Sequence, residues 1–389
     1  MTKERFLEHL HRQLCQLDEL GLRRFPTVVR SLPGGRCRID GQELINFGSN
    51  DYLNLAHHPA VVQRLKECTQ VGSTASSLVA GRSPSHDLLE KELAAFEQTE
   101  SVLLFPTGFA ANLGVLGALV SDSDAVFCDR DNHASLIDGV RATGAQMFVY
   151  QRGRLEVLQK ALARRRSQFE NVFIVTDGVF SMDGGVADLS GLCEIAEQSD
   201  ALIIVDEAHA TGVIGCQGRG VCELHGVEKR ILVKTGTLSK ALGGLGGFAA
   251  GSATVIEWLR NRARSQFFST ALPPAICEAM RESLRIVIAD TSRRERLREH
   301  TLEVHQVLNE LGLPTVGSGI APIIPVIIPE ERRCVATAQQ LRKSGCFVPA
   351  IRPPTVRAGT SRLRISLTSD HQLSDLHSML ETVAECLAS

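Results

Sequence analysis

Leu202-Ile203-Ile204-Val205-Asp206-Glu207-Ala208-His209 and Ile231-Leu232-Val233-Lys234-Thr235-Gly236-Thr237-Leu238-Ser239-Lys240-Ala241-Leu242-Gly243-Gly244-Leu245-Gly246-Gly247 decide how this chain is read. Each opens on an uninterrupted apolar run and passes into polar, hydroxyl-bearing or glycine-rich sequence. A continuous run, as opposed to an alternating one, suits a short strand covered on both faces of a mainly parallel sheet. In both stretches the side chains with chemistry to offer, Asp206, His209 and Lys240, follow the end of the run.

The same order recurs on both sides. Strands are expected at Val102–Phe105, Ala125–Cys128, Gln146–Tyr150, Val172–Val175, Leu202–Val205, Ile231–Val233 and Phe248–Ala250. Helix-like stretches alternate with them, such as Ser85–Gln98, Asn112–Val120 and Leu155–Arg165. This alternation predicts an α/β fold, a mainly parallel central sheet with helices on both faces. Towards the C-terminus long helical patterns dominate, Ala275–Ala289 and Arg293–Leu311, followed by strand patterns at Pro322–Ile328 and Arg362–Leu367 and a last helix from Asp370. We therefore expect a helix and arm over residues 1–45, a large domain over 46–285 and a smaller α+β domain over 286–389.

Composition narrows the function classes. Of 389 residues, 43% are hydrophobic and 22% charged, with a formal net charge of -2. That balance predicts a globular protein and gives no support to a nucleic-acid partner. No apolar run has the length of a membrane span, and the N-terminus lacks the apolar core of a secretory signal, so a cytoplasmic location without membrane partners is expected. The 11 cysteines form no Cys-x-x-Cys pair, which predicts reduced thiols and no bound metal. No Gly-x-Gly-x-x-Gly follows a strand, which counts against a dinucleotide-dependent oxidoreductase.

Open parallel sheets bind ligands at the carboxyl ends of their strands, and the candidate residues collect there. Thr107-Gly108-Phe109-Ala110-Ala111-Asn112 opens a helix after a strand, where Gly108 lets backbone approach an anion at the helix N-terminus; an ordinary strand–helix turn reads the same. His133 and Ser181 follow strand ends as well, as stacking and polar contacts or as capping and turn residues. Thr237 and Ser239 flank Lys240, either as phosphate donors or as turn hydroxyls. Arg362 and Arg364 share one face of a strand, which suits a carboxylate or a solvated surface. A lysine desolvated on irregular backbone becomes a nucleophile. Paired with an aspartate such as Asp206 for a pyridinium nitrogen, it is the arrangement that pyridoxal phosphate requires.

Taken in order, these motifs resemble the pyridoxal-phosphate-dependent α-oxoamine synthases over essentially the whole chain. The stretches that carry the likeness are Asn46-Phe47-Gly48-Ser49-Asn50-Asp51-Tyr52-Leu53, Thr107-Gly108-Phe109-Ala110-Ala111-Asn112, Phe180-Ser181-Met182-Asp183-Gly184, Asp206-Glu207-Ala208-His209-Ala210-Thr211-Gly212 and Thr237-Leu238-Ser239-Lys240-Ala241. The resemblance implies a fold-type I transferase, like aspartate aminotransferase, acting as an acyltransferase. It implies Lys240 as the Schiff-base lysine, Asp206 at the pyridine nitrogen, His209 at the ring oxygen and His133 stacked on the ring. Gly108, Phe109, Ser181 and Thr237 would line the cofactor, with Ser269 and Thr270 reaching in from the second subunit of a homodimer. Arg364 and Asn50 would hold the amino-acid carboxylate, and Arg23 and Thr355 would join His133 as contacts to the substrates. The stretch Ala350-Ile351-Arg352-Pro353-Pro354-Thr355-Val356 is similar to members that join L-alanine to pimeloyl-CoA or a pimeloyl-carrier protein on the route to biotin. The glycine run 243–247 leans towards members that use glycine and acetyl-CoA, and leaves that alternative open. The N-terminal arginine aligns through a one-residue gap, at Arg23 with Arg24 beside it.

Overall fold

The computed structural model describes residues 2–388. Three short strands come first, β1 (Arg30–Leu32), β2 (Arg36–Ile39) and β3 (Gln42–Asn46). The central strands follow: β4 (Ser101–Phe105), β5 (Ala125–Asp129), β6 (Gln146–Tyr150), β7 (Val172–Asp177), β8 (Leu202–Asp206), β9 (Val233–Thr237) and β10 (Gly247–Gly251). The last four are β11 (Ile323–Ile327), β12 (Cys346–Phe347), β13 (Ala350–Ile351) and β14 (Arg362–Ser366). The central sheet has the order β4-β10-β9-β8-β7-β5-β6, and within it β10 alone runs antiparallel to its neighbours.

Successive strand side chains point to opposite faces, and here both faces are covered. Leu103, Phe105, Val126, Cys128, Val175, Ile204 and Val233 pack on one side with Val115, Leu116, Leu136 and Leu259. Val102, Leu104, Phe127, Ile174, Ile203 and Val205 pack on the other, in a core that continues into the C-terminal unit. Two buried faces leave no place for alternation, which explains the continuous apolar runs.

The strand expected at Ile231–Val233 lies further on, at Val233–Thr237. Its polar composition hides it. Lys234 is buried and its ammonium pairs with Glu97, Nζ to Oε2 at 2.7 Å, while also donating to the Glu97 carbonyl at 3.1 Å. Gly236 leaves room for the Phe248 ring of the adjoining strand, which any Cβ would strike.

The stretch 1–45 holds more structure than a helix and an arm. The helix Lys3–Glu19 buries none of its residues, and its Phe6, Leu7, Leu10, Leu14 and Leu17 are exposed. Beyond it, β1 to β3 build a sheet with β12 from the C-terminal part of the chain. The second small sheet, β11-β14-β13, shares a core with the helices Ser292–Glu310, Glu331–Lys343 and Leu373–Ala388. Ser366 N donates to Phe47 O at 2.8 Å and Ser369 N to Tyr52 O at 2.9 Å, so β14 and the 47–52 segment are one joint. Among the described residues no helix is long and apolar enough to cross a membrane.

The buried Lys234–Glu97 pair gives a direct test of this core. Removing one partner strands a buried charge, and Lys234 would then have only Glu228, at 3.9 Å, within ion-pair reach. We expect Glu97→Ala to cost about 3 kcal/mol, and Glu97→Leu combined with Lys234→Met to be nearly neutral. Urea unfolding midpoints of the two variants check both expectations.

Candidate active site

Lys240 lies in the tight connection between β9 and β10. Leu238 N donates to Gly246 O at 3.0 Å, Gly244 N to Leu238 O at 2.9 Å and Gly243 N to Lys240 O at 2.8 Å, which closes the loop around the lysine. Gly243 has φ +73, and a Cβ there would strike the Leu55–Ala56 backbone. Glycine at 243 is thus required twice, by the left-handed backbone and by the close approach. Burial lowers the Lys240 pKa to about 8, against the opposing pull of Asp206 and Asp177, and Arg364 lowers it further.

Asp206 ends β8 and is 5% exposed. Its Oδ1 accepts from Ala208 N at 2.8 Å and its Oδ2 from Asn112 Nδ2 at 2.6 Å. Asp177 sits across from it in register on β7 and accepts from His133 N at 2.7 Å. Burial, with Asp206 alongside, pushes the Asp177 carboxyl well above the ordinary range. His133 itself is exposed, and its ring meets that of Phe109 edge-on at 6.3 Å. Its Nδ1 lies 2.7 Å from Ser135 Oγ. His209 is buried, 2.7 Å from the Tyr52 hydroxyl through Nδ1, and burial drives its pKa well below 6.5, so the imidazole is neutral at neutral pH.

Arg364, on β14, reaches in from the C-terminal unit. Neutral oxygens hold its guanidinium: Ser181 O at 2.6 Å, Ser366 Oγ at 2.7 Å and Asn50 Oδ1 at 3.2 Å from both Nη atoms. These acceptors orient the fork and leave its charge uncompensated, which is a site for a carboxylate. Asn50 also accepts from the Tyr52 hydroxyl at 3.2 Å. Hence one hydrogen-bonded line runs from Arg364 through Asn50 and Tyr52 to His209.

At the opposite end, Thr107 caps the helix Gly108–Leu119 by accepting from Ala110 N at 3.0 Å. Its first turn faces the β9–β10 connection: a Cβ on Gly108 would come within 3.2 Å of Thr237, and one on Gly247 within 2.5 Å of the Thr107 carbonyl. Amides at a helix N-terminus, on a backbone stripped of side-chain bulk, suit a phosphate. An enclosed amine, a buried carboxylate, a neutral histidine and this anion cradle together fit pyridoxal phosphate. The Thr237 hydroxyl donates to Gly246 O at 2.8 Å and accepts from Ser239 N at 3.2 Å, as a turn residue does.

The profile of the family described as Aminotransferase class I and II matches residues 42–383. The chain belongs to that family. It is 44% identical to an 8-amino-7-oxononanoate synthase of Methylococcus capsulatus, over 96% of this chain and 97% of the relative. It is 41% identical to an enzyme of that name from Exiguobacterium sibiricum, over 96% of each. A serine palmitoyltransferase of S. paucimobilis with a bound PLP–myriocin aldimine superposes with a TM-score of 0.92 at 27% identity, over 99% of this chain and 98% of that one. An 8-amino-7-oxononanoate synthase of Francisella tularensis superposes with a TM-score of 0.76 at 28% identity, over 89% and 98%. The likeness to α-oxoamine synthases and to a fold-type I architecture is borne out.

In this aminotransferase-family chain some expected residues stand elsewhere. Arg23 turns back to Asp18, Nη1 to Oδ2 at 2.5 Å, and lies over the Phe25 ring. Its neighbour Arg24 donates to Thr355 Oγ1 at 2.8 Å. Arg352 fixes that geometry by donating to Gly21 O at 2.5 Å and Arg23 O at 3.0 Å. Ser269 is half-buried and Thr270 exposed, the latter bridged to Ser76. Sequence reasoning assigned no role to Tyr52, Ser135 or Asp177, and quoted Asn112 only as part of a motif. A buried tyrosine beside Asn50 was the one visible signal among them.

The Lys240 environment predicts its reactivity. With cofactor removed, labelling of Lys240 by acetic anhydride should rise through a midpoint near pH 8, where an ordinary lysine titrates near 10.5. Below that midpoint the amine is protonated and inert. Peptide mass spectrometry from about two units below the Lys240 midpoint to just above that of an ordinary lysine reads the profile.

Proposed function

We propose that the chain joins L-alanine to a pimeloyl thioester, carried by coenzyme A or a carrier protein, and releases 8-amino-7-oxononanoate, carbon dioxide and the free thiol, a step of biotin biosynthesis. The observation that carries this reading is the pairing of an amine of depressed pKa, Lys240, with an uncompensated arginine, Arg364, at one strand-end site. Relatives matching over nearly the full chain are named 8-amino-7-oxononanoate synthase, which supports this choice of acyl and amino partners.

Pyridoxal phosphate, held by Lys240, Asp206, His209, His133 and the Gly108–Phe109 turn, supplies an electron sink next to the amino acid's α-carbon. Arg364 holds the alanine carboxylate with Asn50 alongside and fixes which α-bond faces Lys240, so its contribution is orientation. The Lys240 amine, part unprotonated near neutral pH, takes the α-proton as general base. Asp206, held by two amide donors, would keep a proton on the ring nitrogen. The α-carbon then bonds to the thioester carbonyl carbon and the C–S bond breaks, the thiolate taking a proton from solvent; the original carboxylate leaves as carbon dioxide, and the proton taken by Lys240 returns to the α-carbon. Arg24 and Thr355 receive the acyl substrate. Ser181 and Thr237 line the cofactor.

The working unit in this reading is a cytoplasmic homodimer. The apolar stripe Phe6, Leu7, Leu10, Leu14 and Leu17 and the exposed Phe268 support a second copy, with Ser269 and Thr270 reaching its site.

Initial rates with alanine, glycine and serine against pimeloyl-, acetyl- and palmitoyl-CoA test the assignment. Alanine with pimeloyl-CoA should dominate; a preference for glycine with acetyl-CoA, or serine with palmitoyl-CoA, would overturn it. Lys240→Ala should lower kcat by about 10²–10⁴-fold or more. Arg24→Ala should raise KM for pimeloyl-CoA by about tenfold, the scale of one charged hydrogen bond. Arg23→Ala should leave it close to the parent value, and the reverse ranking would restore Arg23 as the contact.

A further inference from the structure

Asn112 is 2% exposed, on the second turn of the helix Gly108–Leu119, and both hydrogens and the oxygen of its side-chain amide are engaged. Its Nδ2 donates to Asp206 Oδ2 at 2.6 Å and to Ser135 Oγ at 2.8 Å. Its Oδ1 accepts from the Thr235 hydroxyl at 2.6 Å. The three partners come from three elements: Asp206 on β8, Thr235 opposite it in register on β9, and Ser135 in the helix Ala134–Thr143. Ser135 and Thr235 are themselves buried.

The directions of these bonds are forced. Turning the amide over would set its oxygen against the Asp206 carboxylate, so the nitrogen must face Asp206 and Ser135. Ser135 Oγ therefore accepts from Asn112, and its own proton is left for His133 Nδ1 at 2.7 Å. Ser135 N also donates to that nitrogen, at 3.3 Å. A ring nitrogen that receives two donors carries no proton. In the neutral ring the proton sits on Nε2.

We propose that Thr235, Asn112 and Ser135 form a hydrogen-bond relay, with Asn112 as a positioning residue that both aims the Asp206 carboxylate and fixes His133 as its Nε2–H tautomer. The relay rests on the reading of Asp206 and His133 as contacts to the cofactor ring. It joins the group beneath the ring nitrogen to the group over the ring face through one side chain. Glutamine is one methylene too long to satisfy all three partners. Aspartate has the right shape and the wrong polarity: facing Asp206 it is a second carboxylate, and facing Ser135 it draws the hydroxyl proton away from His133.

The test uses Asn112→Asp, Ser135→Ala and Asp206→Asn, with two readouts. One is the dissociation constant for pyridoxal phosphate, by titration of stripped protein; the other is the ¹⁵N shift pair of His133, assigned by difference from His133→Asn. In the parent, His133 should show a bare Nδ1 and a protonated Nε2. Asn112→Asp should weaken cofactor binding by a factor of ten or more and move the His133 proton towards Nδ1. Ser135→Ala, which deletes a single buried oxygen, should mix the two tautomers while changing cofactor affinity by less than threefold. Parental affinity in Asn112→Asp, or an unchanged His133 pattern in both relay variants, overturns the relay. Under that result, loss of affinity in Asp206→Asn would leave the site reading standing; parental affinity there would remove the reading as well. Retention of the far-ultraviolet spectrum in each variant separates these effects from misfolding, and if Asn112→Asp does not fold, the His133 pattern in Ser135→Ala decides.

Discussion

Everything at this site depends on the contest at Lys240 between burial and Asp206. Burial expels charge from the amine, and the carboxylates of Asp206 and Asp177 draw it back. Were burial unopposed, the lysine would be neutral and Asp206 would have no counter-charge. Were the carboxylates unopposed, the amine would stay protonated and useless as a nucleophile or base. The compromise leaves the amine near the middle of its titration at physiological pH. The two carboxylates are not equivalent. Asp206 accepts from two amide donors, while Asp177, buried, with one backbone donor and Asp206 as neighbour, is pushed towards its protonated form.

The sheet makes this contest possible because β7 and β8 end together. Asp177 and Asp206 are in register, and so are Asp206 and Thr235, so three polar residues occupy one layer beside two largely apolar faces. A slip of one residue in any of these pairs would send the polar side chain into the core. The apolar faces therefore set the register, and the register sets the chemistry.

The sequence shows this layer more clearly than it shows its supports. Asp206, His209 and Lys240 stand out because each follows an apolar run that reads as a buried strand. Arg364 stands out through its alternation with Arg362. The strand β9 is hidden because its interior holds Lys234, whose charge is neutralised by Glu97, a residue distant in sequence. Strands β1 to β3 are hidden because they are short and half-polar, and because β3's partner β12 lies at the other end of the chain. The choice between Arg23 and Arg24 depends on where the helix Lys3–Glu19 stops and how Arg352 grips the arm, and neither fact is local. Asn112 is invisible for a similar reason: its three partners converge only in the fold.

The glycine run after Lys240 bears on acyl selection. In sequence the run leans towards members that use glycine and acetyl-CoA. In the structure these glycines answer to packing. Gly243 lies under Leu55 and Ala56, Gly244 against the Met280 thioether, and Gly247 against the Thr107 carbonyl. None of these contacts is made by Arg24, Thr355 or Arg364. A run that shapes the lysine's loop constrains how the loop closes over its own support, whichever thioester arrives. In the proposed function, acyl discrimination falls to Arg24 and Thr355, which Arg352 helps bring together. A charged, hydrogen-bonding contact there suits a long acyl chain with a polar far end, and offers nothing to a two-carbon group too short to reach it.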